Sequence, residues 1–116
     1  DCVETGRVLA AAAKEAGRDP STLHAACTLR VNINPNKERA REEYESHLLE
    51  YYRNMKFWKE VNGHHIWGPY GDAEYIRERI QAFIEAGIQT FAVLFTAPDQ
   101  MQQFREFTEK VWPQFQ

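Results

Sequence analysis

The sequence predicts an α/β fold in which parallel strands alternate with helices. Three observations carry that expectation. Helical periodicity gives way twice to a β-branched, apolar run, at Leu23–Ile33 and at Ile88–Phe95. A glycine stands before each run, Gly17 and Gly87, where the left-handed residue that closes a helix is expected. The two runs are separated by a long, charged, helical stretch. Strands joined by such a crossover run parallel, and the crossover is right-handed.

The elements follow in order. Val3–Ala16 is alanine-rich, with Val8, Leu9, Ala12 and Ala16 at helical spacing, and Asp19-Pro20 turns the chain away from it. In the first strand Leu29, Val31 and Ile33 share one face, and Thr28, Arg30 and Asn32 share the other. Polar residues on a strand of this kind either line a polar interior or face water on an edge strand. Asn34-Pro35-Asn36 starts a helix that runs to about Asn54, with Ala40, Tyr44, Leu48 and Tyr51 as its buried stripe and Tyr52 at the margin. Its carboxylates, Glu38, Glu42, Glu43 and Glu45, intermix with Lys37, Arg39 and Arg41, the pattern of a solvated face. Met55–Val61 reads as a further helical turn or two, and His64–Gly71 as a loop rich in glycine and aromatics. Asp72 caps a helix with Ile76, Ile80, Phe83 and Ile84 on its apolar side. After the second strand, Pro98 and Asp99 open a last helix packed through Met101, Phe104, Phe107 and Val111.

Composition narrows the functional classes. A chain of 116 residues fits one domain, and its net charge of −3 provides no basic footprint for nucleic acid. No apolar run approaches the roughly 20 residues needed to span a bilayer. Two cysteines are too few for a disulfide framework, so Cys2 and Cys27 read as buried or free thiols, which is consistent with a cytoplasmic location. The chain has no P-loop, Gly-x-Gly-x-x-Gly or Cys-x-x-Cys pattern. Adjacent His64 and His65 lack carboxylate or cysteine partners at ligand spacing, so no metal site is expected.

Several segments, taken together, resemble one family. Ala16-Gly17-Arg18-Asp19-Pro20, Gly71-Asp72-Ala73-Glu74, Glu85-Ala86-Gly87, Thr90–Phe95 and Val111-Trp112-Pro113 occur in an order similar to the C-terminal end of luciferase-like flavin monooxygenases. That family includes reductases that use a deazaflavin coenzyme. Ala73 departs from its usual proline, a mild change at a first helical turn. The resemblance implies that residues 1–116 form a single partial domain, the last two strand–helix units of a (β/α)8 TIM-type barrel with two parallel strands and flanking helices. A whole barrel of this type typically takes about 250 residues.

The resemblance further implies a parent enzyme that binds FMN, or alternatively the deazaflavin coenzyme, a flavin-type parent inserting one oxygen atom into a small organic substrate. In barrels the site lies at the C-terminal ends of the strands. The positions available for lining cofactor or substrate are then Arg30, Asn32, His64, His65, Trp67, Tyr70 and Thr96, and no catalytic residue can be assigned. The chain alone is expected to be inactive and not to bind flavin tightly by itself. Two strands leave two exposed edges, which makes the alternative an assembly module that pairs with copies of itself or with the rest of a barrel.

Overall fold

The computed structural model describes residues 2–53 and 69–116. Helix α1 spans Cys2–Glu15, strand β1 Ala26–Ile33, helix α2 Lys37–Tyr52, strand β2 Tyr70–Gly71, helix α3 Ala73–Glu85, strand β3 Thr90–Phe95 and helix α4 Gln100–Lys110, with 3-10 turns at Pro20–Thr22 and Trp112–Phe115. The expected turn at Met55–Val61 falls outside the described residues.

Most boundaries follow from local chemistry. Asn36, Asp72 and Asp99 each accept a backbone N–H in the first turn of α2, α3 and α4, from Arg39, Tyr75 and Gln102. Asp19 does the same for the Pro20 turn. The Ser21 backbone N–H on its carboxylate holds that group below the usual carboxylate range. Gly17 and Gly87 take positive φ after α1 and α3, as expected of helix stops.

The sheet corrects the two-strand expectation. It has three strands in the order β2-β1-β3, all parallel. β1 pairs with β3 from Ala26↔Thr90 to Val31↔Phe95, and with β2 through Asn32↔Tyr70 and Ile33↔Gly71. The extra strand comes from the end of the stretch read as loop. Gly71 adopts φ +148°, so the chain can pair with β1 and enter α3 one residue later. β1 is therefore the central strand, and the edge-strand explanation for Arg30 and Asn32 does not hold.

β1 separates two layers. Leu29, Val31 and Ile33 pack with Ile76 and Ile80 of α3 and with Phe107 and Val111 beyond it. Arg30 and Asn32, on the opposite face, meet α2. There Tyr44 and Leu48 form a second, smaller cluster with Tyr52 and Tyr70.

Four helical stripes differ from expectation. On α2 the inner position is Tyr52, while Tyr51 is 65% exposed, because the stripe keeps a strict four-residue step from Ala40 through Tyr44 and Leu48. On α4 Met101 and Phe104 are exposed and Gln103 is buried, since Gln103 bonds the backbone of Ile33. On α1 Val8, Leu9, Ala12 and Ala16 are exposed, and Ala13 alone among its described residues is buried. Ile84 of α3 is also partly open to solvent.

Candidate functional site

The C-terminal ends of β1 and β3 bring together four of the residues expected to line a site. Asn32 is completely buried, and its side-chain amide donates to Glu43 Oε2 at 3.1 Å and to the Thr96 carbonyl at 3.3 Å. Thr96 is also buried, and its hydroxyl donates to the Val31 carbonyl at 3.2 Å. Asn32 thus joins both strands to α2. Tyr70 sits beside it in β2, with its ring centroid 5.4 Å from that of Tyr44. Arg30 is half-buried one step back along β1, donating to the Tyr52 hydroxyl with its guanidinium 5.3 Å from the Tyr52 ring centre. His64, His65 and Trp67 lie outside the described residues.

The orientation of the Asn32 amide is fixed by its neighbours. Both partners of Nδ2 are acceptors, so a flipped amide would set oxygen against oxygen. Its Oδ1 is left buried with no donor among the described residues. A buried acceptor of this kind costs about 1–3 kcal/mol while it stays unpaired. Asn32 and Arg30 therefore offer one acceptor and one cation near the strand ends. That donor set fits the polar rim of a cofactor carrying amide N–H and anionic groups.

The residues missed by sequence reasoning belong to α2. Glu43 was read as part of a solvated face, yet its side chain is only 21% exposed and it accepts from Asn32 as well as from Arg39. Tyr52 was placed at the margin, yet it holds Arg30. The available signal was the four-residue spacing of Ala40, Tyr44, Leu48 and Tyr52, with Glu43 next to that stripe.

Two grooves flank these elements. One of about 420 Å³ lies between α2 and Pro98 of the β3–α4 connection, with Glu42, Glu43, Ser46, His47 and Glu50 as its other walls. A larger apolar one of about 670 Å³ lies at the opposite end of β3, where Ile80, Ile84, Ile88, Phe91, Trp112 and Phe115 contribute walls. Arg30, Asn32, Tyr70 and Thr96 are not among the residues that line the larger groove. Among the described residues no cluster of histidine, cysteine and carboxylate side chains could hold a metal ion. No described helix is long and apolar enough to cross a membrane. Cys27 is partly buried and is not part of a disulfide.

The class defined by this fold is α/β, with a three-stranded parallel sheet similar to part of a TIM-barrel enzyme. Among solved structures the chain is similar to an F420-dependent secondary alcohol dehydrogenase, determined in complex with an F420-acetone adduct. The TM-score is 0.62 at 24% identity, and the match covers 85% of this chain and 34% of that one. The chain thus spans about a third of the length of the dehydrogenase it matches. No family model and no curated protein matches it.

Proposed function

We propose that the chain supplies the C-terminal strands and helices of a luciferase-like oxidoreductase, and that the strand ends carrying Arg30, Asn32, Tyr70 and Thr96 line its cofactor and substrate site. The observation that carries this reading is the fold match to the F420-dependent dehydrogenase across 85% of the chain. It favours the deazaflavin coenzyme over FMN, and alcohol or carbonyl redox chemistry over oxygen insertion. A deazaflavin supplies hydride transfer when bound, and the protein supplies its orientation and surroundings. In this chain Asn32 is held rigid by Glu43 and Thr96, so its free oxygen is aimed without further ordering. Tyr52 fixes Arg30 in the same way. Tyr44 and Leu48 keep water from the buried end of the strands.

A fluorescence titration of the 116-residue chain with oxidised deazaflavin coenzyme and, side by side, with FMN tests the reading. Weak, saturable binding of the deazaflavin and weaker binding of FMN is expected. A preference for FMN, or no saturable binding of either, defeats the deazaflavin assignment.

The outer edge of β3 supports a second reading, a module whose activity is association. β3 pairs with β1 alone among the described residues. Thr90 and Thr96 direct their N–H groups to β1, so by alternation the N–H groups of Phe91, Val93 and Phe95 point away from it. Leu94 is 47% exposed on the same strand. Light scattering across a dilution series is expected to show concentration-dependent self-association. A monomer at every concentration removes this reading.

A further inference from the structure

Arg30 and Arg77 are the half-buried arginines among the described residues; Arg77 donates to the Lys110 carbonyl at 2.7 Å, whereas Arg30 stands on the face of β1 that meets α2. The exposed arginines of α2 are matched with carboxylates, Arg39 with Glu43 at 3.3 Å and Arg41 with Glu45 at 3.0 Å. Arg30 is more buried than either, yet no carboxylate of a described residue lies within ion-pair distance. Glu43, the carboxylate that α2 brings to this face, is already engaged by Asn32 and Arg39. The guanidinium has five N–H donors, and among the described residues a single hydrogen bond, to the Tyr52 hydroxyl, accounts for part of that capacity. Partial burial of a cation without a counter-charge is unfavourable, and the Tyr52 ring offsets only part of the cost.

Among the described residues the approach to Arg30 is open. Leu94 is its β3 register partner and is exposed. Thr28 and Ala26, earlier on the same face of β1, are exposed and small, as is Ala92 beside Thr28. A ligand can lie along these short side chains and reach the guanidinium with one end. We propose that Arg30, pinned by Tyr52, is an anion-binding group that takes a carboxylate or phosphate of a small molecule lying on this face of the sheet. The inference rests on the reading that this face lines the ligand site, and it adds the chemical class of the group bound there. The fork of N–H donors matches two oxygens of such a group at once, a geometry that lysine cannot reproduce.

The test is an NMR titration of the full 116-residue chain with inorganic phosphate and, separately, sodium acetate, against sodium chloride at matched ionic strength. Saturable shifts of the Arg30 Nε–H and of the Thr28 and Leu94 amides are expected with both oxyanions and not with chloride. Arg30→Gln should weaken binding by about tenfold or more, as loss of charged hydrogen bonds implies. Tyr52→Phe should weaken it less. Should Arg30→Gln unfold the chain, Arg30→Lys takes its place, and it must also weaken phosphate binding because the fork is gone. Linear shifts equal to those with chloride overturn the proposal. So does a variant that titrates like the parent. If phosphate binds at Arg30 and neither flavin nor deazaflavin binds at all, the anion site stands and the cofactor reading falls. If deazaflavin binds equally well to Arg30→Gln, the outcome is reversed.

Discussion

Asn32→Asp is expected to destabilise the fold by about 3–5 kcal/mol at neutral pH, the cost of leaving a charge buried and uncompensated. Asn32 is completely buried, and both partners of its amide nitrogen are acceptors, Glu43 and the Thr96 carbonyl. The substitution keeps the shape and replaces the donor with an oxygen. A carboxylate there would face another carboxylate and a carbonyl, and the nearby cation Arg39 is already paired with Glu43 at 3.3 Å. Both burial and the neighbouring charge disfavour its ionised form, so its pKa in the folded state lies above that in the unfolded chain. Stability is then present at low pH, where the introduced group is protonated in both states, and is lost as pH rises. Asn32→Leu serves as the control. It forfeits the same two hydrogen bonds without adding charge, should cost about 1–3 kcal/mol, and should show no added pH dependence. Urea denaturation of the two variants at neutral and acid pH makes the comparison. An aspartate variant as stable as the parent at neutral pH would mean that Asn32 does not stand between two acceptors.

That polar node was only half visible in the sequence. Arg30 and Asn32 stood out because a strand whose other side is Leu29, Val31 and Ile33 has no packing reason to carry them. Their partners did not stand out. Glu43 sits in a helix so rich in charge that one inward carboxylate looks like its neighbours, and only the position of Asn32 turns it inward. The caps Asn36, Asp72 and Asp99 and the stops Gly17 and Gly87 were legible because each acts within a few residues of itself. β2 was not legible, since two residues have no periodicity and its pairing is decided by Asn32 and Ile33, far away in sequence. Hydrophobicity placed Met101 and Phe104 inside α4. What decides that helix's rotation is partly a backbone need at the end of β1, and that need exists only once the lengths of β1 and β3 are known.

The same need makes Gln103→Leu the second large effect expected. β3 ends at Phe95, opposite Val31, so Ile33 extends past its neighbour on that side. Its backbone is satisfied there by a side chain. Gln103 Oε1 accepts the Ile33 N–H at 2.7 Å, and Gln103 Nε2 donates to the Ile33 carbonyl at 2.9 Å. The primary amide offers one acceptor and one donor in the arrangement that a further β3 peptide would have offered. Leucine has similar bulk and neither group, so two buried backbone atoms lose their partners. Each such loss costs about 1–3 kcal/mol, and a total of about 2–6 kcal/mol is expected. Gln103→Glu keeps the acceptor but turns the donor into an oxygen facing a carbonyl, and should also destabilise. Chemical denaturation gives the stability, and hydrogen exchange at the Ile33 amide locates the cause. A leucine variant within about 0.5 kcal/mol of the parent, with Ile33 still protected, would sink the argument, because surface-like substitutions fall in that range. If the loss is as large as expected, α4 does more than cover the sheet. Asn32 is held between Ile33 on one side and the Thr96 contact on the other, so the register of β1 against α4 sets where Arg30 and Asn32 stand.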